Sequence, residues 1–160
     1  MRYRGFRFVS LLVALGAAIP EAAGQPFAVM VHRSNPVYSL SWNDLRAIFS
    51  GGATRWPNQE KAVLAHREPG SPSNRFLMDR LLKTSWQDYK RSLQSLEFMG
   101  QEPAVFRVLN SDALACKFVF NVPGAVAVIE AASAAAPECR ELRILKIDGY
   151  SPGQEGYRLK

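Results

Sequence analysis

Five short, largely apolar runs recur along the chain, each separated from the next by a stretch long enough for a helix or a loop. They are Phe27–His32 (FAVMVH), Ala62–His66 (AVLAH), Val105–Leu109 (VFRVL), Ala125–Ile129 (AVAVI) and Leu142–Ile147 (LRILKI). Ala125–Ile129 shows no polar alternation, the pattern of a strand covered on both faces. Between the runs the apolar spacing becomes helical. Trp42, Leu45 and Phe49 follow Ser41; Phe76, Leu77, Leu81 and Leu82 follow Ser71 and Pro72; Trp86, Tyr89, Leu93 and Leu96 follow Ser85. A further helix is expected from Ser111-Asp112 through Phe120. Strands alternating with helices argue for an α/β fold, one central sheet with helices on both faces.

Local chemistry sets the helix ends. Ser41 and Asp44 stand at N-cap and N3, with Leu40 and Leu45 at the staple positions. Gly51 is placed to stop that helix. Ser71 suits an N-cap and Pro72 suits N1. Pro123-Gly124 reads as a turn, Glu130 to Ala136 as a short helix, and Tyr150 to Lys160, with its Pro and Gly, as irregular.

The N-terminus reads as an address. MRYRGFR is basic, FVSLLVALGAAI is an apolar run of twelve residues, and Pro20 ends it. Spanning a bilayer takes about 20 apolar residues, so a secretory signal peptide over 1–24 is expected, with Ala22 and Gly24 at −3 and −1. One domain, 25–160, would remain, periplasmic or secreted. No later run is long enough to span a membrane.

The whole chain of 160 residues is 48% hydrophobic and 21% charged, within the range of one globular domain. Its net charge is +6, and without Arg2, Arg4, Arg7 and Glu21 it holds 17 basic and 13 acidic residues. The basic residues form no run of three, so a nucleic-acid partner is not expected. A small anion, an acidic surface or plain solubility would each account for the excess. Cys116 and Cys139 are the only cysteines. In an oxidising compartment they could close a loop of about 22 residues, contributing roughly 3 kcal/mol. Cys116 could equally be a small buried apolar residue on its helix. No C-x-x-C or His–Cys spacing points to a metal, and no cofactor is implied.

The most informative stretch is HREPGSPSNRF, residues 66–76. A strand ends, a glycine turn follows, and a helix opens with Ser71, Ser73 and Asn74 in its first turn. First-turn N–H groups lack intrahelical partners and carry the positive end of the helix dipole, so such an end accepts oxyanions. Arg67 and Arg75 flank it and could add bidentate contacts. A well-capped helix between two solvated arginines is the alternative.

From Val29 to about Pro152 the chain resembles the phosphate-binding periplasmic proteins of bacterial ABC transporters, specifically the second lobe of their type II fold. LSWNDLRAIFSGGATRWPN is similar to that family's helix and loop, HREPGSPSNRF to its phosphate loop R-x-D-G-S-G-T, and PGAVAVIE to its PGAIGYVE. LKIDGYSP resembles the segment after that strand. The resemblance implies an oxyanion site at Arg67, Gly70, Ser71 and Ser73, with Asn74 and Arg75 beside it, and phosphate as the first ligand. Pro69 stands where the family has Asp, and Pro72 where it has Gly. One lobe rather than two leaves an anion partly hydrated and its interactions screened.

Other constellations are thinner. His32 and His66 both end strands and would approach each other if those strands were neighbours. With Ser71 or Asp44 they could make a nucleophile and base, but no hydrolase elbow accompanies them. Trp42, Trp56 and Trp86 read as packing residues. Glu97, Glu102, Glu138 and Glu141 form no paired-carboxylate pattern. The reading is a secreted, non-catalytic binder of a small oxyanion. The alternative is an accessory or sensory module that keeps the fold without strong ligand binding. A transporter, sensor or outer-membrane protein is the expected kind of partner.

Overall fold

A computed structural model describes residues 24–160; the expected signal peptide lies, but for Gly24, outside the described residues. The elements are β1 (Phe27–His32), β2 (Ser39–Leu40), α1 (Trp42–Phe49), β3 (Val63–Arg67), α2 (Pro72–Phe76), α3 (Trp86–Phe98), β4 (Val105–Leu109), α4 (Asp112–Asn121), β5 (Ala125–Glu130) and β6 (Leu142–Ile147). They form one six-stranded sheet in the order β2-β6-β1-β5-β3-β4. Strands β5, β3 and β4 run parallel, while β1 lies antiparallel between β5 and β6.

The central strands are buried on both faces, which is why β1 and β5 read as continuous apolar runs. Val29 and Val31 of β1, with Leu64, Val126 and Val128, pack against Leu45, Phe49, Leu77, Leu81 and Leu93 of the helices on one face. Ala28, Met30, Ala65, Ala125 and Ala127 meet Ala115, Cys116 and Val119 of α4 on the other. The expected α/β layering is therefore present. Small residues on the α4 side let that helix approach the sheet closely. A disulfide joins Cys116 of α4 to Cys139, ahead of β6, with Cα atoms 5.1 Å apart.

The caps act as local chemistry dictates. Ser41 Oγ accepts from Asp44 N at 3.1 Å while Ser41 N donates to Asp44 Oδ2 at 3.2 Å, a complete capping box. Ser85 and Ser111 cap α3 and α4 through one bond each, their Oγ atoms accepting from Asp88 N and Leu114 N at 3.1 Å. Gly124 has a packing reason to be glycine. A Cβ built there would land on the Lys61 carbonyl oxygen. Its own carbonyl accepts from Val63 N at 3.0 Å and from the buried Trp56 indole N–H at 2.8 Å.

Three segments differ from the sequence reading. Ser39–Leu40, read as the approach to α1, is a short strand paired parallel with Lys146 and Ile147. The helix after Ser71 widens into a π-helical turn over Leu77–Leu82, ended by Lys83 in the left-handed region at φ 54°. Ala131–Ala135 is a 3-10 turn rather than a full helix. The tail is irregular but fastened: Phe27 N donates to Leu159 O at 2.8 Å, and the buried Tyr157 hydroxyl donates to Phe27 O at 2.7 Å. No helix among the described residues is long and apolar enough to cross a membrane.

Candidate functional site

The chain leaves the carboxyl end of β3 towards α2 and α3 on one face of the sheet, and leaves β4 towards α4 on the other. Two adjacent parallel strands whose connections diverge to opposite faces open a crevice at their carboxyl ends, where α/β proteins place ligands. Two capped helix starts flank it, Ser71 for α2 and Ser111 for α4.

Arg67, the last residue of β3, fills this crevice. Its Nε donates to Leu109 O at 3.1 Å and its Nη2 to Asn110 O at 3.3 Å, tying β3 to the end of β4. Its Nη1 pairs with Asp112, and both side chains are about nine-tenths buried. The other oxygen of Asp112 accepts from Glu130 N at 3.3 Å, which brings in the end of β5. Arg67 Nη2 and Nε also hold the Glu68 carboxylate, at 2.9 and 3.3 Å. Glu68 is the more exposed partner. Hydrogen bonding to the Arg67 guanidinium holds the Glu68 carboxyl below its ordinary range.

The loop behind it is shaped for a helix start. Gly70, at φ 90°, takes the left-handed conformation that lets the chain turn from strand to helix. Ser71 Oγ accepts from Asn74 N at 3.3 Å and donates to Glu68 O at 2.8 Å. Asn74 turns inward and donates from Nδ2 to Arg67 O at 3.1 Å. Ser73 is also buried, and its hydroxyl has no hydrogen-bond partner among the described residues. Arg75 is exposed, and its side chain makes no hydrogen bond or ion pair among the described residues. Arg67, Gly70, Ser71, Ser73 and Asn74 thus gather in one loop, but Ser71, Ser73 and Asn74 are buried. The solvent side is Glu68, Pro69, Gly70, Pro72 and Arg75. Sequence reasoning did not single out Asp112 and Glu68. A Ser-Asp helix start after a strand is too common a signal to reveal a salt bridge 45 residues away in sequence.

The two histidines do not meet. Strand β5 separates β1 from β3, and β1 runs opposite to β3, so His32 and His66 lie at opposite ends of the sheet. His32 lies beside Ser34 and Phe120. His66 is fully buried among the rings of Phe49, Trp86, Tyr89 and Phe106. The Tyr89 hydroxyl donates to Phe49 O at 2.7 Å, so it can only accept from His66 Nε2, 2.9 Å away. That fixes the neutral Nε2–H tautomer and leaves Nδ1 without a partner. Burial lowers the His66 pKa to about 3. No group of three or more potential metal ligands occurs among the described residues.

Several solved structures share this fold. A putative phosphate ABC transporter substrate-binding protein from Clostridium perfringens, with bound phosphate, matches with a TM-score of 0.61 at 16% identity, over 79% of this chain and 46% of its own. PstS from Borrelia burgdorferi matches at 0.63 and 15% identity, over 79% and 49%. An ABC-type phosphate transport receptor from Vibrio cholerae matches at 0.52 and 19%, over 79% and 48%. The chain spans about half the length of each of these structures. No curated protein matches it. The family model described as the PBP superfamily domain matches residues 19–151, most of the chain, and the chain belongs to that family.

Proposed function

We propose that this chain is an exported, non-catalytic binding module for a small oxyanion, phosphate first, held at the mouth of the Arg67–Ser71 loop. The observation that carries the reading is the Arg67–Glu68 fork. A carboxylate bound by Nε and Nη2 of a guanidinium occupies the position that a bidentate oxyanion would take. Glu68 is a neighbouring, partly exposed side chain, so it can swing out and leave the fork to an incoming anion. The exposed turn at Gly70 and Arg75 would border the bound ion. The solved relatives described as binding or transporting phosphate support the choice of ligand. Export after cleavage at Gly24 belongs to the same reading; mass spectrometry of periplasmic material should find Gln25 as the first residue.

One observation favours a second reading, an accessory module with the fold but little ligand binding. Every Arg67 donor group is already engaged by Asp112, Glu68 or a carbonyl. Calorimetry with orthophosphate and sulfate separates the two. Under the binding reading, Glu68→Gln removes the competing charge and tightens phosphate binding by about tenfold, the scale of one charge-assisted contact. If neither wild type nor Glu68→Gln gives heat at millimolar phosphate, the second reading stands.

A further inference from the structure

Far from that loop, at the opposite end of the helix that Ser71 starts, five basic residues from three segments converge on one cleft of about 510 Å³. Arg46 lies one turn after Trp42 on α1, and Arg80 and Lys83 close the π-helical turn. Arg158 and Lys160 come from the tail. There Tyr157 and Leu159 turn inward onto the core, so Arg158 and Lys160 alternate outward into the cleft. No acidic residue among the described residues lines it. Arg46, Arg80, Lys83 and Lys160 have no ion-pair partner among the described residues, whereas Arg158 pairs with Asp148 at 3.4 Å.

The walls are held before any ligand arrives. The tail is tied to β1 through the Phe27–Leu159 and Tyr157–Phe27 hydrogen bonds. Trp42 is fixed between the Phe76 ring edge and the Arg158 guanidinium, 4.2 Å from the indole centroid. Unpaired like charges held together by a fold repel one another, and the arrangement carries that cost unless an anion relieves it. Basic residues at a helix C-terminus complement its dipole, which accounts for Arg80 and Lys83. It does not account for Arg46, Arg158 and Lys160 facing the same space.

We propose that this cleft binds a compact, soluble polyanion bearing two or more phosphoryl groups. Its volume falls within the roughly 300–1,000 Å³ of small-molecule sites. Three of its five cations are arginines, whose forked donors fit tetrahedral oxyanions bidentately. A monoanion would leave most of them unneutralised. The cations line a concavity rather than a flat face, which suits a dissolved ligand over a bilayer surface. The site shares no residue with the Arg67–Ser71 loop and does not depend on that reading.

The probe is inorganic tripolyphosphate, titrated by calorimetry into the whole protein. Binding is expected to exceed that of orthophosphate at this cleft and to weaken several-fold as salt rises from about 0.05 to about 0.3 M. Arg46→Gln and Arg80→Gln alter exposed side chains and should leave the thermal midpoint unchanged. Each should weaken tripolyphosphate binding by about tenfold. Absence of heat with tripolyphosphate, or equal binding by the Arg46→Gln/Arg80→Gln double variant, overturns the proposal. So does equal binding of citrate, which has the charge but no phosphoryl groups. Co-sedimentation with phosphatidylglycerol vesicles that the double variant loses would assign the cleft to a membrane surface instead.

Discussion

His66→Phe should make the protein more resistant to acid than the wild type. In the native state the imidazole is neutral, enclosed by four aromatic rings, with a pKa lowered by burial from 6.5 to about 3. The unfolded chain regains an ordinary histidine. Between these two pKa values the unfolded state binds a proton that the native state does not, so stability falls as pH falls from about 6.5 towards about 3. The slope approaches about 1.4 kcal/mol per pH unit, and integration from pH 7 to pH 5 gives a loss of about 2 kcal/mol from this residue alone. Phenylalanine suits the surrounding rings and removes the partnerless Nδ1. It also loses the hydrogen bond to Tyr89, whose hydroxyl still donates to Phe49 O. At pH 7 these effects oppose each other, and the net change should be within about 1 kcal/mol. Urea unfolding at pH 7 and pH 5 reads the difference. The gap between variant and wild type should widen by about 2 kcal/mol at pH 5, or roughly 6–10 °C in a thermal scan. Carboxylates such as Glu68 and Glu102 titrate in both proteins and cancel. Parallel pH profiles would refute the reasoning, because His66 would then titrate in the native state.

Gly124→Ala should cost about 1–3 kcal/mol by forcing a Cβ onto the Lys61 carbonyl, with denaturant unfolding as the check. Reducing the Cys116–Cys139 bridge should lower stability by about 3 kcal/mol, seen as a drop in thermal midpoint with dithiothreitol that the Cys116→Ala/Cys139→Ala pair no longer shows. Asp112→Ala should cost about 2–3 kcal/mol, below the loss typical of a fully buried pair, because Glu68 remains on Arg67. A loss under about 0.5 kcal/mol would show that the crevice does not depend on this bridge.

How much of the protein was legible in one dimension follows from the range of the interactions involved. Each serine cap joins residues three apart, so Ser41, Ser71, Ser85 and Ser111 announce their helices in the sequence. The runs at β1 and β5 disclose strands covered on both faces, because burial on both sides excludes polar alternation. The loop from Arg67 to Arg75 could be found for the same reason: a strand end, a left-handed glycine and a capped helix start are contiguous.

The tertiary structure decided what depends on pairing at a distance. Strand order separates His32 from His66, and no local pattern encodes it. Ser39–Leu40 is a strand only because β6 lies beside it, more than 100 residues later. Arg67 carries the same charge whether it waits for an anion or is held by Asp112; the chain's crossing from β4 to α4 makes the second the case. The five cations of the cleft stand at positions 46, 80, 83, 158 and 160, too far apart to register as a charge run. They become one electrostatic object because Tyr157 and Leu159 are drawn into the core and carry their neighbours into place. Local geometry and hydrophobic period are properties of neighbouring residues, whereas electrostatic sites are summed over space, and only the folded chain sets those distances.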